Sequence, residues 1–174
     1  MNNKPIQTAS NTPSQHAGGI HIKSKQELDH MRLAGQITGA ALKKLRTAVV
    51  PGITTKELDR IAEKEIRSLG AKPAFKGYMG FPGTICASVN EEIVHGIPGK
   101  RVLEEGDLFK VDCGATINGF IGDSALSLAV GEIEPEVEQL SKITREALYA
   151  GICLLYTSAA ADEGLGVDLG GRRI

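Results

Sequence analysis

The sequence predicts a mixed α/β fold of the α+β kind, in which helices flank an antiparallel hairpin. Two stretches of helical periodicity in the first half each begin with a capping box. The sequence after them consists of Gly-rich turns and runs of β-branched residues. An Asn-Gly pair between two strand-like segments is a strong hairpin signal. The 174 residues suit one domain with a real core.

The composition excludes several classes of protein. With 41% hydrophobic residues, 24% charged residues and a net charge of −1, nothing favours nucleic acid or an anionic membrane as partner. No apolar run approaches the ~20 residues needed to cross a bilayer, and no signal-peptide core is visible, so we expect a cytoplasmic protein. Cys86, Cys113 and Cys153 form no CxxC pair, which predicts reduced thiols.

Residues 1–19 are rich in Asn, Gln, Ser, Thr and Pro and poor in large apolar side chains. Such a segment buries too little apolar surface to offset the conformational entropy lost on folding, so we expect a disordered tail. A basic targeting leader is the alternative. It is disfavoured because the segment holds one Lys and no Arg before His21.

Two helices are predicted next. Ser24 with Glu27 and Thr54 with Glu57 form the two capping boxes, and Gly70 ends the second helix. Apolar residues at helical spacing predict the buried face of each helix. They are Leu28, Met31, Ile37, Ala41, Leu42 and Leu45 in the first helix, and Leu58, Ile61, Ala62, Ile66 and Leu69 in the second.

The strands and a further helix follow. Residues 84–89 are predicted as a strand, followed by a polar turn and a short apolar run at residues 93–95. Two longer strands, Leu108–Ile117 and residues 120–130, flank the Asn-Gly pair. Residues 132–151 are predicted as a helix because their apolar residues recur at helical spacing.

The predicted hairpin carries two aspartates. A two-residue loop sets the register so that Asp112 faces Ala125 and Asp123 faces Gly114, which makes the aspartates diagonal neighbours on one face. Such neighbours lie about 7–8 Å apart at the backbone, close enough for their carboxylates to hold one or two divalent ions. Without a cation the two carboxylates would repel each other. The alternative is that both are ordinary turn or surface residues.

Several motifs resemble the type I methionine aminopeptidases. The motif SVNExxxHGIP and the aspartate pair are specific to that family. The similarity runs in order over residues 20–151. The matching segments are residues 80–90, 91–98, 105–107, 111–114 and 119–124. The resemblance implies the pita-bread aminopeptidase fold, of which this chain would supply the first half.

The resemblance also implies roles for individual residues. Asp112 and Asp123 would be metal ligands, with Asp123 bridging two ions, and His95 would contact the substrate backbone near the metals. The alternative for His95 is a histidine satisfied by a turn carbonyl. Two divalent ions of the Co, Mn, Fe or Zn kind are implied, which polarise the scissile carbonyl and lower the pKa of water.

Tyr78, Phe81 and Cys86 fall where the family builds its pocket for the methionine side chain, and a soft apolar pocket suits a thioether. Plain core packing is the alternative for these three residues. Cys113 is assigned packing only.

The implied function is removal of the initiator methionine from nascent chains, by a monomer that meets its substrates in the cytoplasm, with the ribosome as a candidate place of encounter. A proline-type aminopeptidase of the same fold is one alternative. Another is a catalytically dead relative that binds ribosomes or other proteins. Such a relative would be expected to lose Asp112 or Asp123, and both are present.

The family also needs a His and two Glu ligands further along, and no His follows His95. We therefore expect the chain as given to be inactive, and a chain without function as written is a third possibility. Residues 20–152 are interpreted as the N-terminal part of the catalytic domain. The strings CLLYTS and VDLGGRRI match translated sequencing-adapter sequence in order and frame, so residues 153–174 are predicted to be non-native. A divergent natural tail is the alternative.

Overall fold

A computed structural model describes residues 22–155, in which two helices pack on one face of an antiparallel sheet and a third helix follows the last strand. The strand β3 is central: β4 pairs along one of its edges, while β1 and β2 share the other. The elements in chain order are α1 (Lys25–Ala48), α2 (Thr55–Ser68), β1 (Lys72–Pro73), a 3-10 turn (Tyr78–Gly80), β2 (Ile85–Val89), β3 (Leu108–Ile117), β4 (Phe120–Ala129) and α3 (Pro135–Leu155).

Both predicted capping boxes are present. The Ser24 hydroxyl accepts a hydrogen bond from the Glu27 N–H at 3.3 Å, and the Glu27 carboxylate accepts one from the Ser24 N–H at 2.7 Å. Thr54 and Glu57 repeat the arrangement at the start of α2. These reciprocal bonds satisfy N–H groups that have no partner inside the helix, and so they fix where each helix begins.

The core lies between the two helices and one face of the sheet. Its largest fully buried side chain is Phe109 on β3. Around it pack Ile37, Ala41, Leu42 and Leu45 of α1, Leu58, Ala62 and Ile66 of α2, Ile85, Ala87 and Val89 of β2, and Val111, Cys113 and Ala115 of β3. Alternate residues of the strands enter this core, so the remaining residues lie on the opposite face.

Two residues predicted for the buried face of α1 are exposed instead. Leu28 is 39% exposed and Met31 is 41% exposed. Leu69, predicted for the buried face of α2, is 43% exposed because the helix ends at Ser68. The ring of His30 stacks on Phe120, the first residue of β4, so the start of α1 extends past the hairpin turn. The periodicity identified a helix face correctly but could not show where the sheet beneath it ends.

The predicted hairpin is confirmed, including its register. Asn118 and Gly119 both have positive φ, at 52° and 82°, which matches the twist of a two-residue turn. β4 ends one residue earlier than predicted, and β2 begins one residue later. Residues 93–95 form a loop rather than a continued strand run. β1 was not predicted, because its two residues are too short a signal and one of them is Pro73.

The third helix begins at Pro135, three residues later than predicted, since proline is well suited to the first helical position. Its apolar residues Leu140, Ile143 and Leu148 are each more than half exposed. The helix continues to Leu155, past the predicted boundary at residue 152. The predicted tail at residues 1–19 and the segment after residue 155 lie outside the described residues. No described helix is long and apolar enough to cross a membrane.

Candidate functional site

Asp112 and Asp123 lie on the face of the sheet opposite α1 and α2. Asp112 pairs with Ala125, and Asp123 pairs with Gly114, as the two-residue loop predicts. Their neighbours in sequence, such as Cys113, point into the core, so the aspartates point away from it. Asp112 is half-buried and Asp123 is exposed. The hairpin therefore brings two carboxylates together on an open surface.

The two carboxylates interact strongly. Burial, followed by the charge of Asp123 and a hydrogen bond with it, raises the pKa of Asp112 to about 6. The Cys113 N–H and the nearby His95 act in the opposite direction on that pKa. Crowded carboxylates favour a shared proton or a cation between them, and their hard oxygen atoms suit a divalent ion. This donor set therefore fits the predicted metals.

The described residues do not complete a metal site. Within residues 22–155, no group of three or more His, Cys, Asp or Glu side chains is arranged to hold an ion. Two carboxylates alone leave most coordination positions of a divalent ion to water or to other groups. The role of Asp112 and Asp123 as metal ligands remains a prediction, and the geometry is compatible with it.

His95 lies in the loop after β2 and is exposed. Its backbone has φ +60°, an uncommon conformation for a residue with a Cβ atom. The adjacent Gly96 hydrogen-bonds to β2: its carbonyl accepts from the Ala87 N–H at 2.8 Å, and its N–H donates to the Ser88 hydroxyl at 3.1 Å. The loop thereby carries His95 to within electrostatic reach of Asp112.

Cys86 is the second predicted residue beside the carboxylates. It pairs directly with Asp112 across β2 and β3, and it is buried. Burial, together with the charges of Asp112 and Asp123, raises the pKa of the Cys86 thiol to about 11. The thiol is therefore protonated at neutral pH and behaves as a small, uncharged apolar side chain. Cys113 faces the core on the other side of the sheet, where burial raises its pKa to about 12.

The other two predicted pocket residues lie in the loop before β2. Tyr78 is 66% exposed, Phe81 is half-buried, and the Phe81 N–H donates to the Tyr78 carbonyl at 2.9 Å. Their pocket role remains a prediction.

Sequence reasoning missed one aromatic residue at this face. A Cβ atom on Gly114 would lie 2.8 Å from the ring of Phe75, so that ring covers the backbone opposite Asp123. The available signal was Gly114 itself, since glycine inside a strand often marks a close approach by another group.

Comparisons with known proteins agree with the sequence and the geometry. The model of Metallopeptidase family M24 matches residues 29–162. A curated methionine aminopeptidase from Clostridium acetobutylicum is 52% identical over 134 residues, which are 76% of this chain and 54% of the relative. The chain thus spans about half the length of the curated relatives that it matches.

Solved structures give the same result. The crystal structure of a methionine aminopeptidase from Thermotoga maritima superposes with a TM-score of 0.73 at 41% identity, covering 75% of this chain and 53% of that one. A Xaa-Pro dipeptidase from Bacillus anthracis superposes less well, with a TM-score of 0.64 at 27% identity, over 72% of this chain and 34% of its own.

Proposed function

The chain belongs to metallopeptidase family M24 and has the first half of the pita-bread fold, and on that premise we propose that it forms part of an enzyme that removes N-terminal methionine from nascent proteins. The observation that carries this proposal is the pair Asp112 and Asp123 on one sheet face, with His95 within electrostatic reach of Asp112. The chain that holds them is 52% identical over 134 residues to a methionine aminopeptidase.

The proposed roles follow from position and chemistry. Asp112 and Asp123 would hold two divalent ions of the Co, Mn, Fe or Zn kind, and Asp123, the more exposed carboxylate, would be shared by both. Bound metals of this kind polarise a peptide carbonyl and lower the pKa of water. The remaining ligands, a His and two Glu, must come from outside the described residues.

The chain's other residues bind and orient the substrate. His95 contacts the peptide backbone beside the carboxylates. Cys86, neutral and buried next to Asp112, forms one apolar wall against the thioether of the methionine, with Tyr78 and Phe81 on the loop before β2. Phe75, above Gly114, is an additional wall.

We propose further that the enzyme acts on nascent chains in the cytoplasm. The substrates are the N-terminal Met peptides of nascent chains, met in the cytoplasm at the ribosome, and the working unit is a monomer. No nucleic acid or membrane takes part. The near-neutral net charge of −1 supports the absence of a nucleic-acid or anionic-membrane partner, because either partner would favour a strongly basic surface.

Methionine specificity is preferred over the proline-type alternative for one reason. Among solved structures, the methionine aminopeptidase from Thermotoga maritima is more similar to this chain than the Xaa-Pro dipeptidase is, with 41% against 27% identity and a TM-score of 0.73 against 0.64. Both classes share the fold, so the fold alone does not decide between them.

A chimeric enzyme tests the proposal. Residues 22–152 would replace the matching part of the Clostridium acetobutylicum relative, so that the relative supplies the rest of the fold. With Mn(II), we expect the chimera to release methionine from Met-Ala-Ser and to leave Ala-Pro-Ser intact. The Asp123→Asn variant should lose activity, while Asp29→Asn, at an exposed ion pair on α1, should retain it. Preferential cleavage of Ala-Pro-Ser would refute methionine specificity.

A further inference from the structure

The loop that carries His95 is attached to the outer edge of β2. After β2 the chain reverses at Asn90, which has φ +53°, and returns along the strand at residue 96. β2 pairs with β3 on its inner edge, so the loop occupies the edge that β3 leaves free. Two hydrogen bonds join loop and strand, from the Ala87 N–H to the Gly96 carbonyl and from the Gly96 N–H to the Ser88 hydroxyl.

The loop approaches β2 so closely that only glycine fits at position 96. A Cβ atom there would lie 2.2 Å from the Ala87 carbonyl oxygen and 3.0 Å from the Ser88 Cα. The backbone of Gly96 is therefore in direct contact with the strand. This contact places the peptide unit between His95 and Gly96 beside the hydroxyl of Ser88.

That peptide unit determines where His95 points. His95 has φ +60°, a sparsely populated conformation for a residue with a side chain, and such conformations persist only when surrounding contacts impose them. The Ser88 hydroxyl accepts a hydrogen bond from the Gly96 N–H, which belongs to the peptide unit directly after His95. This hydrogen bond fixes the rotation about the Cα–C bond of His95. Ser88 itself is only 2% exposed and lies on the same sheet face as Asp112.

We propose that Ser88 is a positioning residue that holds the backbone of His95 in its left-handed conformation, by accepting a hydrogen bond from the Gly96 N–H. The functional part of this inference rests on the proposed role of His95 at the substrate. The structural part does not, because the hydrogen bond and the conformation are properties of the loop itself.

Amide hydrogen exchange in the full 174-residue chain tests the structural part. We expect the Gly96 amide to exchange about tenfold faster in Ser88→Ala, the effect of losing one buried hydrogen bond. Ser88→Thr, which keeps the hydroxyl, should restore protection. Ser127→Ala, at an exposed serine on the same sheet face, should leave the Gly96 amide unchanged. If Ser88→Ala does not fold, Ser88→Cys, which replaces the hydroxyl with a weakly accepting thiol, should give the same faster Gly96 exchange, and unchanged exchange in it would overturn the proposal.

Unchanged Gly96 exchange in Ser88→Ala would overturn the proposal, as would loss of protection in Ser88→Thr. A second readout follows the His95 ring, using Mn(II) to broaden NMR signals near the carboxylates. We expect Ser88→Ala to reduce the broadening of the ring while the Asp112 and Asp123 amides broaden as before. Equal broadening of the His95 ring in the unmutated chain and in Ser88→Ala would contradict the positioning role of Ser88. No broadening at all in the unmutated chain would count against the metal site alone, since Gly96 exchange is measured without metal.

Discussion

The contact between α1 and β4 depends on one glycine, and replacing it should destabilise the fold. A Cβ atom on Gly122 would lie 2.5 Å from the carbonyl carbon and oxygen of Ala34 and 2.7 Å from the Gly35 nitrogen. Non-bonded heavy atoms prefer about 3.5–4.0 Å, so α1 and β4 would have to separate by about 1 Å. Backbone atoms lie on both sides, so no side chain can rotate away.

The cost of Gly122→Ala combines three effects. Overpacking costs about 1–3 kcal/mol. The Thr38 hydroxyl shares its proton between the carbonyls of Gly122 at 3.0 Å and Ala34 at 3.1 Å, so it would keep only the Ala34 bond, a loss of at most about 0.5–1.5 kcal/mol. The lower entropy of the unfolded alanine chain offsets about 0.4–1 kcal/mol. The net expectation is a loss of about 2 kcal/mol, or about 4–8 °C in Tm for a chain of this size.

Thermal unfolding followed by circular dichroism measures this loss, with Gly39→Ala as the matched control. Gly39 is exposed on the same helix, and a Cβ there meets no heavy atom within 4 Å. Alanine at this helical position should stabilise the protein by about 0.5–1 kcal/mol. If Gly122→Ala were as stable as the unmutated chain, the packing of α1 on the hairpin described here would be wrong.

Three further predictions concern activity, pH and the C-terminal segment. The chain as given should not hydrolyse Met-Ala peptides with Co(II) or Mn(II), because two carboxylates cannot position the metals; chelator-sensitive turnover would contradict this. Burial raises the pKa of Asp107, but hydrogen bonds from Glu104 and Asn90 and the charge of Arg101 leave it lowered overall. The ionised Asp107 carboxylate therefore stabilises the fold above about pH 4, and this stabilisation is lost in acid. In urea unfolding, Asp107→Asn should lower the free energy of unfolding by roughly 1–3 kcal/mol at pH 7 and by less at pH 3. Deleting residues 153–174 should leave thermal unfolding unchanged, and a clear loss of stability would refute the adapter interpretation.

Local signals allowed much of this fold to be predicted. The capping boxes at Ser24 and Thr54 set the helix starts because their hydrogen bonds join residues three apart. The Asn-Gly turn set the hairpin register, and that register alone placed Asp112 and Asp123 on one face. Each of these features depends on neighbours in sequence, which is why the sequence was sufficient.

Features that depend on distant contacts were not predicted. The approach of Gly96 to β2 and the ring of Phe75 above Gly114 join separate segments, and no local pattern specifies them. Exposure was also misjudged at Leu28 and Met31, because helical periodicity identifies an apolar face but not what covers it. The site was therefore predictable in its carboxylates and not in the loop that brings His95 to them.

Asp112 and Asp123 are proposed to hold divalent metal together. Isothermal titration of Mn(II) into the 174-residue chain tests it directly, with Asp112→Asn, Asp123→Asn and the exposed control Asp29→Asn measured alongside. We expect weak binding that either site variant abolishes and the control retains, because each ion needs both carboxylates. Binding of equal strength in all four chains, or none in the unmutated chain, would contradict it.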